Sequence, residues 1–269
     1  MPNTALVEEL ATTLIRAEDE RQNLTSLADQ HPELDEELGY AVQDRTLQLR
    51  EARGEQLVGI KLGLTSKAKQ QRMNVDTPIV GWLTNVHRIT DAQLAANDGR
   101  IPEDLFIHPR VEPEIFVTLK HDLEGADVTT EDVRAAIDKV YAGLDVIDSR
   151  YQDFRFTLGD VVADNASGAG FVLGPIGLNV DDLDLALEAV VVEVDGEVVD
   201  TATGAAILGH PLNAIAEGVR LLARRGRKLE AGQIVLAGAM TDAVATNVGR
   251  SITFHFTNLG SIRLRGTGE

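Results

Sequence analysis

Apolar positions near the start of the chain recur at three- to four-residue intervals: Leu6, Leu10, Leu14 and Ala17, then Leu34, Leu38, Ala41, Val42 and Leu49. This is the stripe of amphipathic helices, so roughly the first fifty residues are expected to be helical. Pro32 suits the start of the second helix, and Arg50 to Gly54 forms a basic last turn with a glycine stop. Nothing in this stretch carries chemistry, and a helical cap or an oligomer contact is the expected role. From Val58 the texture changes to short apolar runs punctuated by glycine, which are strand signals. Val58 to Ser66 predicts a strand closed by a glycine-rich turn, and Lys67 to Met73 a short helix. His108 to Leu119 alternates, with Val111, Pro113, Ile115 and Val117 on one face and Glu112 and Glu114 on the other. A helix is expected from Thr130 to Tyr141, then a strand in which Asp145, Ile147 and Ser149 share a face. The run from Val161 to Gly170 predicts a small-residue loop. Asp195-Gly196 predicts a hairpin turn, and Pro211 to Arg225 a helix stopped by Gly226. Ile234–Leu236, Ser251–Phe256 and Ser261–Leu264 complete a strand-rich second part. The pattern divides the chain into a helical region over 1–57 and a β-rich region over 58–269.

Composition excludes several classes of function. With no cysteine there is no disulfide, thiolate metal site or cysteine nucleophile, which suits a cytoplasmic setting. A net charge of −18 argues against nucleic acid as a partner. No apolar run approaches the roughly 20 residues of a membrane span, and the N-terminus lacks the basic and apolar regions of a signal peptide. There is no phosphate-binding glycine-lysine loop, nucleophile elbow or helical two-histidine metal pair. Arg224 to Lys228 is read as helix-end electrostatics rather than a nucleic-acid patch.

Two features point to chemistry. Glu112 and Glu114, two residues apart on one strand face, are spaced to hold a hard cation such as Mg²⁺ or Mn²⁺. Spacing alone fits a solvated acidic face better. Lys61, inside an apolar glycine-flanked strand, is either a snorkelling surface chain or a functional amine.

Seven stretches together carry a resemblance: Gly59-Ile-Lys-Leu-Gly-Leu-Thr-Ser66, Thr77-Pro-Ile-Val-Gly81, Ile107-His-Pro-Arg-Val-Glu-Pro-Glu114, Val146-Ile-Asp-Ser-Arg-Tyr-Gln-Asp-Phe154, Ala163-Asp-Asn-Ala-Ser167, Leu208-Gly-His-Pro-Leu212 and Leu229-Glu-Ala-Gly232. In this order they resemble the 2-keto-4-pentenoate hydratase / 4-oxalocrotonate decarboxylase family of the fumarylacetoacetate hydrolase-like superfamily, from about residue 35 onward. The resemblance implies an α+β fold with a β-rich mixed-sheet core. It implies a divalent metal, Mg²⁺ or Mn²⁺, on Glu112, Glu114 and a third acid at Asp145, where most relatives are expected to carry glutamate. It implies that Lys61 is the active-site lysine and that Thr65, Ser66 and Ser167 contact oxygens of a small 2-oxo acid. The implied reactions are decarboxylation of 2-oxohex-3-enedioate (4-oxalocrotonate) and, as the alternative, hydration of 2-hydroxypenta-2,4-dienoate. Ile79 favours decarboxylation, because the hydratases are expected to carry an aspartate there that could handle the attacking water. A homo-oligomer, and a complex with the sister hydratase in which this chain could be a non-catalytic subunit, are further implications.

Overall fold

A computed structural model describes residues 3–268; the expected outer limits of the two regions, residues 1 and 269, lie outside the described residues. Helices α1 (Thr4–Asp19) and α2 (Glu36–Ala52) pack on each other through the predicted stripe. Pro32 falls in the turn before α2, and Asp35 starts that helix by accepting a hydrogen bond from Leu38 N–H. An aspartate there satisfies an amide that has no partner within the helix. Gly54, with φ +92°, ends the segment as expected.

Strand β1 (Leu57–Gly63), helix α3 (Lys67–Met73), strand β2 (Ile79–Thr84) and helix α4 (Asp91–Ala96) follow. Next come β3 (Arg110–Leu119), α5 (Thr130–Ala136), β4 (Ile137–Ile147), α6 (Leu158–Ala163) and β5 (Gly168–Leu173). The chain ends with β6 (Ala189–Val194), β7 (Glu197–Thr203), α7 (Pro211–Arg224), β8 (Ile234–Ala239), β9 (Val244–Ala245), β10 (Ile252–Phe256) and β11 (Gly260–Leu264).

Two expectations are corrected. The helix predicted to reach Tyr141 stops at Ala136, because 137–141 pair with β3 from Leu119↔Ile137 to Phe116↔Tyr141. Ile137, Val140 and Tyr141 fit a sheet better than a helix, and a long ladder overrides local periodicity. The expected loop over 161–170 instead begins in α6, whose Thr157–Asp160 capping box closes its first turn.

The large sheet runs β2-β1-β8-β3-β4-β5, with β9 also on β3; only the β1/β8 pair is parallel. The sheet is curled, and its edges β2 and β5 meet through the side chain of Asn165 and an isolated bridge from Arg88 to Phe171. Register places Leu83, Leu236, Ile234, Phe116 and Phe171 on the same inner face, where they pack as a small apolar plug. The opposite face carries the main core. A second sheet, β11-β10-β6-β7, is wholly antiparallel, with Asp195-Gly196 at its predicted hairpin turn. Among the described residues no helix is long and apolar enough to cross a membrane.

Candidate active site

Above the apolar plug the inner face turns polar. Glu112 and Glu114 on β3 lie opposite Asp145 and Gly143 on β4, so pleating sends all three carboxylates to one side. The solvated-face alternative fails, since Glu112, Glu114 and Asp145 are all buried. One oxygen from each lies within 4.8 Å of the others. Pro113, which has no N–H to give, sits where the pairing of β3 passes from β9 to β8, and its carbonyl accepts from Met240 N–H.

The fit to a cation rests on unmet oxygens. Glu114 Oε1 and Asp145 Oδ1 are buried and accept no hydrogen bond among the described residues. Buried carboxylate oxygens without partners are costly, and three carboxylates this close form a hard-cation donor set. Burial, followed by the negative charge of Asp145 and Glu112, pushes the Glu114 carboxyl well above its ordinary range. Burial also raises Asp145, against the pull of Lys61. A divalent cation relieves both effects.

Lys61 is 2 % exposed, which removes the snorkelling alternative. Its Nζ lies 2.6 Å from Asp145 Oδ2 and donates to Ala166 O at 3.0 Å. Burial opposes its charge, but Asp145, Glu112 and Glu114 outweigh that and hold the amine above its ordinary value. A second amine, Lys69 from α3, reaches Glu112 Oε1 at 2.9 Å.

The other predicted residues divide. Thr65 is buried and packs over Gly238, where an added Cβ would lie 2.0 Å from Thr65 Oγ1. Ser167 is buried with its Oγ unpartnered. Ile79 pairs with Gly63 on the inner face, one alternation nearer the mouth than Lys61, against Ala166. The Ser66 hydroxyl is engaged as the N-cap of α3, accepting from Lys69 N–H at 3.2 Å.

The sequence reading missed five contributors. Gly238, at φ +113°, turns its N–H onto Glu114 Oε2 at 2.8 Å. Asn165 ties the sheet edges together, and Lys69 pairs with Glu112. Asp164 and Arg150 form a buried pair: Arg150 Nε contacts Asp164 Oδ1, and Arg150 Nη2 donates to Asp164 O at 2.7 Å. Burial pushes Asp164 up to about 6 despite that partner. The available signal was Asn165 in a small-residue run, since asparagine tolerates left-handed backbone.

The family model for the fumarylacetoacetate (FAA) hydrolase C-terminal region matches residues 57–265. The chain belongs to the fumarylacetoacetate hydrolase family. Within the family it is 39% identical over 263 residues to 4-oxalocrotonate decarboxylase of Pseudomonas putida, covering 98% of this chain and 97% of that one. It is also 39% identical over 258 residues to 2-keto-4-pentenoate hydratase of Paraburkholderia phymatum, covering 96% of each. The solved structure of 4-oxalocrotonate decarboxylase from Pseudomonas putida G7, complexed with magnesium and adipate, superposes with a TM-score of 0.92 at 38% identity over 98% of both chains. The α+β, mixed-sheet architecture is that of this family member.

Proposed function

We propose that this chain is a divalent-metal-dependent lyase that decarboxylates 2-oxohex-3-enedioate, or a close homologue, to 2-hydroxypenta-2,4-dienoate and CO₂. The observation that carries the reading is the end-to-end likeness to a 4-oxalocrotonate decarboxylase holding magnesium and a six-carbon diacid. The three buried carboxylates give that likeness a chemical basis here.

Glu112, Glu114 and Asp145 are the residues that would hold Mg²⁺ or Mn²⁺. Aspartate is one methylene shorter than the glutamate expected at the third position; its oxygen stands within 4.8 Å of both partners, which supports its place in the donor set. When bound, the cation acts as a Lewis acid toward the 2-oxo acid. The rest falls to side chains. The Lys61 ammonium, fixed by Asp145 and Ala166 O, attracts the dianionic substrate and donates to the C2 oxygen as charge develops there. The bond between C5 and the C6 carboxylate breaks, and its electrons form the C4–C5 double bond. The former C3–C4 alkene pair moves to C2–C3, and the C2 oxygen takes the negative charge and then a proton. The buried, unpartnered Ser167 Oγ and the buried Thr65 are the proposed contacts to substrate oxygens, and the buried Ile79 is the proposed hydrocarbon wall.

The second reading, hydration of the dienol, has the equally similar hydratase relative in its favour. Ile79 weighs against it, because it offers no acceptor for a water proton. Following CO₂ release from the diacid and hydration of the dienol, with one preparation and one metal, separates the two. CO₂ release with slow or absent hydration is expected; hydration without CO₂ refutes the decarboxylase reading. Turnover in either assay excludes a non-catalytic partner. On the same reading the enzyme acts in the cytoplasm as a homo-oligomer that associates with its sister hydratase. Exposed Val198 and Val199 on the edge strand β7, with exposed Leu187, offer apolar surface for such contacts. Light scattering of the chain alone and with the hydratase tests this.

A further inference from the structure

The segment that receives the lysine has an unusual construction. Asn165, Ala166 and Ser167 are three successive residues in left-handed backbone, with φ of 55°, 53° and 55°. Alanine and serine rarely adopt this conformation, and such a run persists only where its surroundings impose it. The surroundings are on both sides. At its start, Asp164 is held by Arg150 through Nε, the backbone N–H (3.1 Å) and Nη2 on the carbonyl, and by Ser149 Oγ at 3.3 Å. In the middle, the Asn165 carboxamide acts as a missing strand. Its Oδ1 accepts from Trp82 N–H at 2.6 Å, and its Nδ2 donates to Trp82 O at 2.9 Å and to Gly168 O at 3.3 Å. One side chain therefore closes the gap between β2 and β5.

The consequence reaches the chemistry. Closing that gap places the Ala166 carbonyl 3.0 Å from Lys61 Nζ. The fit is tight on both flanks. A Cβ on Gly81 would stand 2.5 Å from Asn165 O and 3.0 Å from Lys61 Cγ, and one on Gly168 would stand 2.7 Å from Lys61 Cδ. The lysine stem thus runs through a slot whose walls are two glycines and the turn. Ion pairing with Asp145 alone would leave the ammonium free to swing about the carboxylate. The carbonyl supplies the second, directional contact that fixes where its remaining protons point.

We propose that Asn165 is a positioning residue for Lys61: by splinting β2 to β5 it holds the left-handed turn whose Ala166 carbonyl aims the ammonium. The proposal rests on the lyase reading for its kinetic test but not for its chemical one. In the kinetic test, Asn165→Gly keeps left-handed backbone available while removing the carboxamide. It should lower kcat about 10- to 100-fold and leave KM and the Mn²⁺ dissociation constant within about threefold, since only an interaction with the reacting state is lost. In a Lys61→Met background the same change should cost less than about twofold, because residues acting through one group are non-additive. Asn165→Asp keeps the shape and the bond from Trp82 N–H but loses both donated bonds, and should show the same pattern. In the chemical test, cyanate labelling of the metal-free protein is followed by peptide mass spectrometry. Lys61 should react about tenfold faster in either variant than in wild type, as expected when a local restraint is opened.

Unchanged kcat and labelling in both variants overturn the proposal. So does a loss fully additive with Lys61→Met, or collapse of the fold in both variants, each of which assigns Asn165 a purely structural role. If wild type turns over neither acid, the lyase reading fails, and the labelling rates still decide the role of Asn165.

Discussion

Replacing Glu114 by glutamine should stabilise the metal-free protein while destroying its response to metal. Glu114 is fully buried, receives one hydrogen bond from Gly238 N–H, and faces two carboxylates within 4.8 Å and one ammonium. At that separation and an effective dielectric of about 20, each like-charge pair costs about 3 kcal/mol. Two repulsions and one attraction leave about one such pair uncompensated, so removing the charge should return about 3 kcal/mol, roughly 5 °C for a chain of this size. Glutamine keeps an oxygen for Gly238 N–H, so nothing else need be lost. The pH dependence has a definite sign. The folded-state value of Glu114 is raised, so its favourable contribution is complete below the ordinary carboxylate range and is lost as pH rises through that raised value. The melting difference, variant minus wild type in EDTA, should therefore grow from pH 5 to pH 8. With Mg²⁺ or Mn²⁺ at about 100 times its dissociation constant, wild type should gain about 2.7 kcal/mol and the variant far less. Thermal melts across that pH range, with EDTA and with metal, measure all of this. A variant that melts below wild type in EDTA at pH 8, or gains as much from metal, refutes the reasoning.

Lys61→Met should cost about 10²-fold or more in turnover while metal binding survives, because it removes a charged donor from the reacting state; normal steady-state rates would end that role. Gly238→Ala should destabilise the protein by about 1–3 kcal/mol, since alanine is strained at φ +113° and its Cβ would meet Thr65 Oγ1 at 2.0 Å. Its metal affinity should fall as well, as the N–H that orients Glu114 moves, and calorimetric titration with Mn²⁺ reads this directly. Ser66→Ala should lose about 0.5–2 kcal/mol of stability from the α3 cap with little change in KM; a large rise in KM at unchanged Tm would restore Ser66 as a substrate contact.

Much of this protein is local, and local features are legible in a chain. The stripes of α1, α2 and α7, the alternation of β3 and the Asp195-Gly196 turn need only neighbours along the sequence to form. The pairing of Glu112 with Glu114 on one face follows from the pleat alone. Other features were decided by partners distant in sequence. Residues 137–141 became strand because β3 was there to pair with them, whatever their helical spacing. Lys61 could be read as surface or as site until β4 set Asp145 against it and the turn after α6 set Ala166 O. Asn165 stood in the sequence only as part of a small-residue run, and Gly238 gave no signal. One became the closure of a curled sheet and the other the donor to a carboxylate, because curling brings β2 to β5 and β8 pairs directly with β3. Hydrophobic periodicity encodes which face a residue takes. Only tertiary packing decides which side chain waits across that face, and the charge, reach and proton placement of this site depend on that partner.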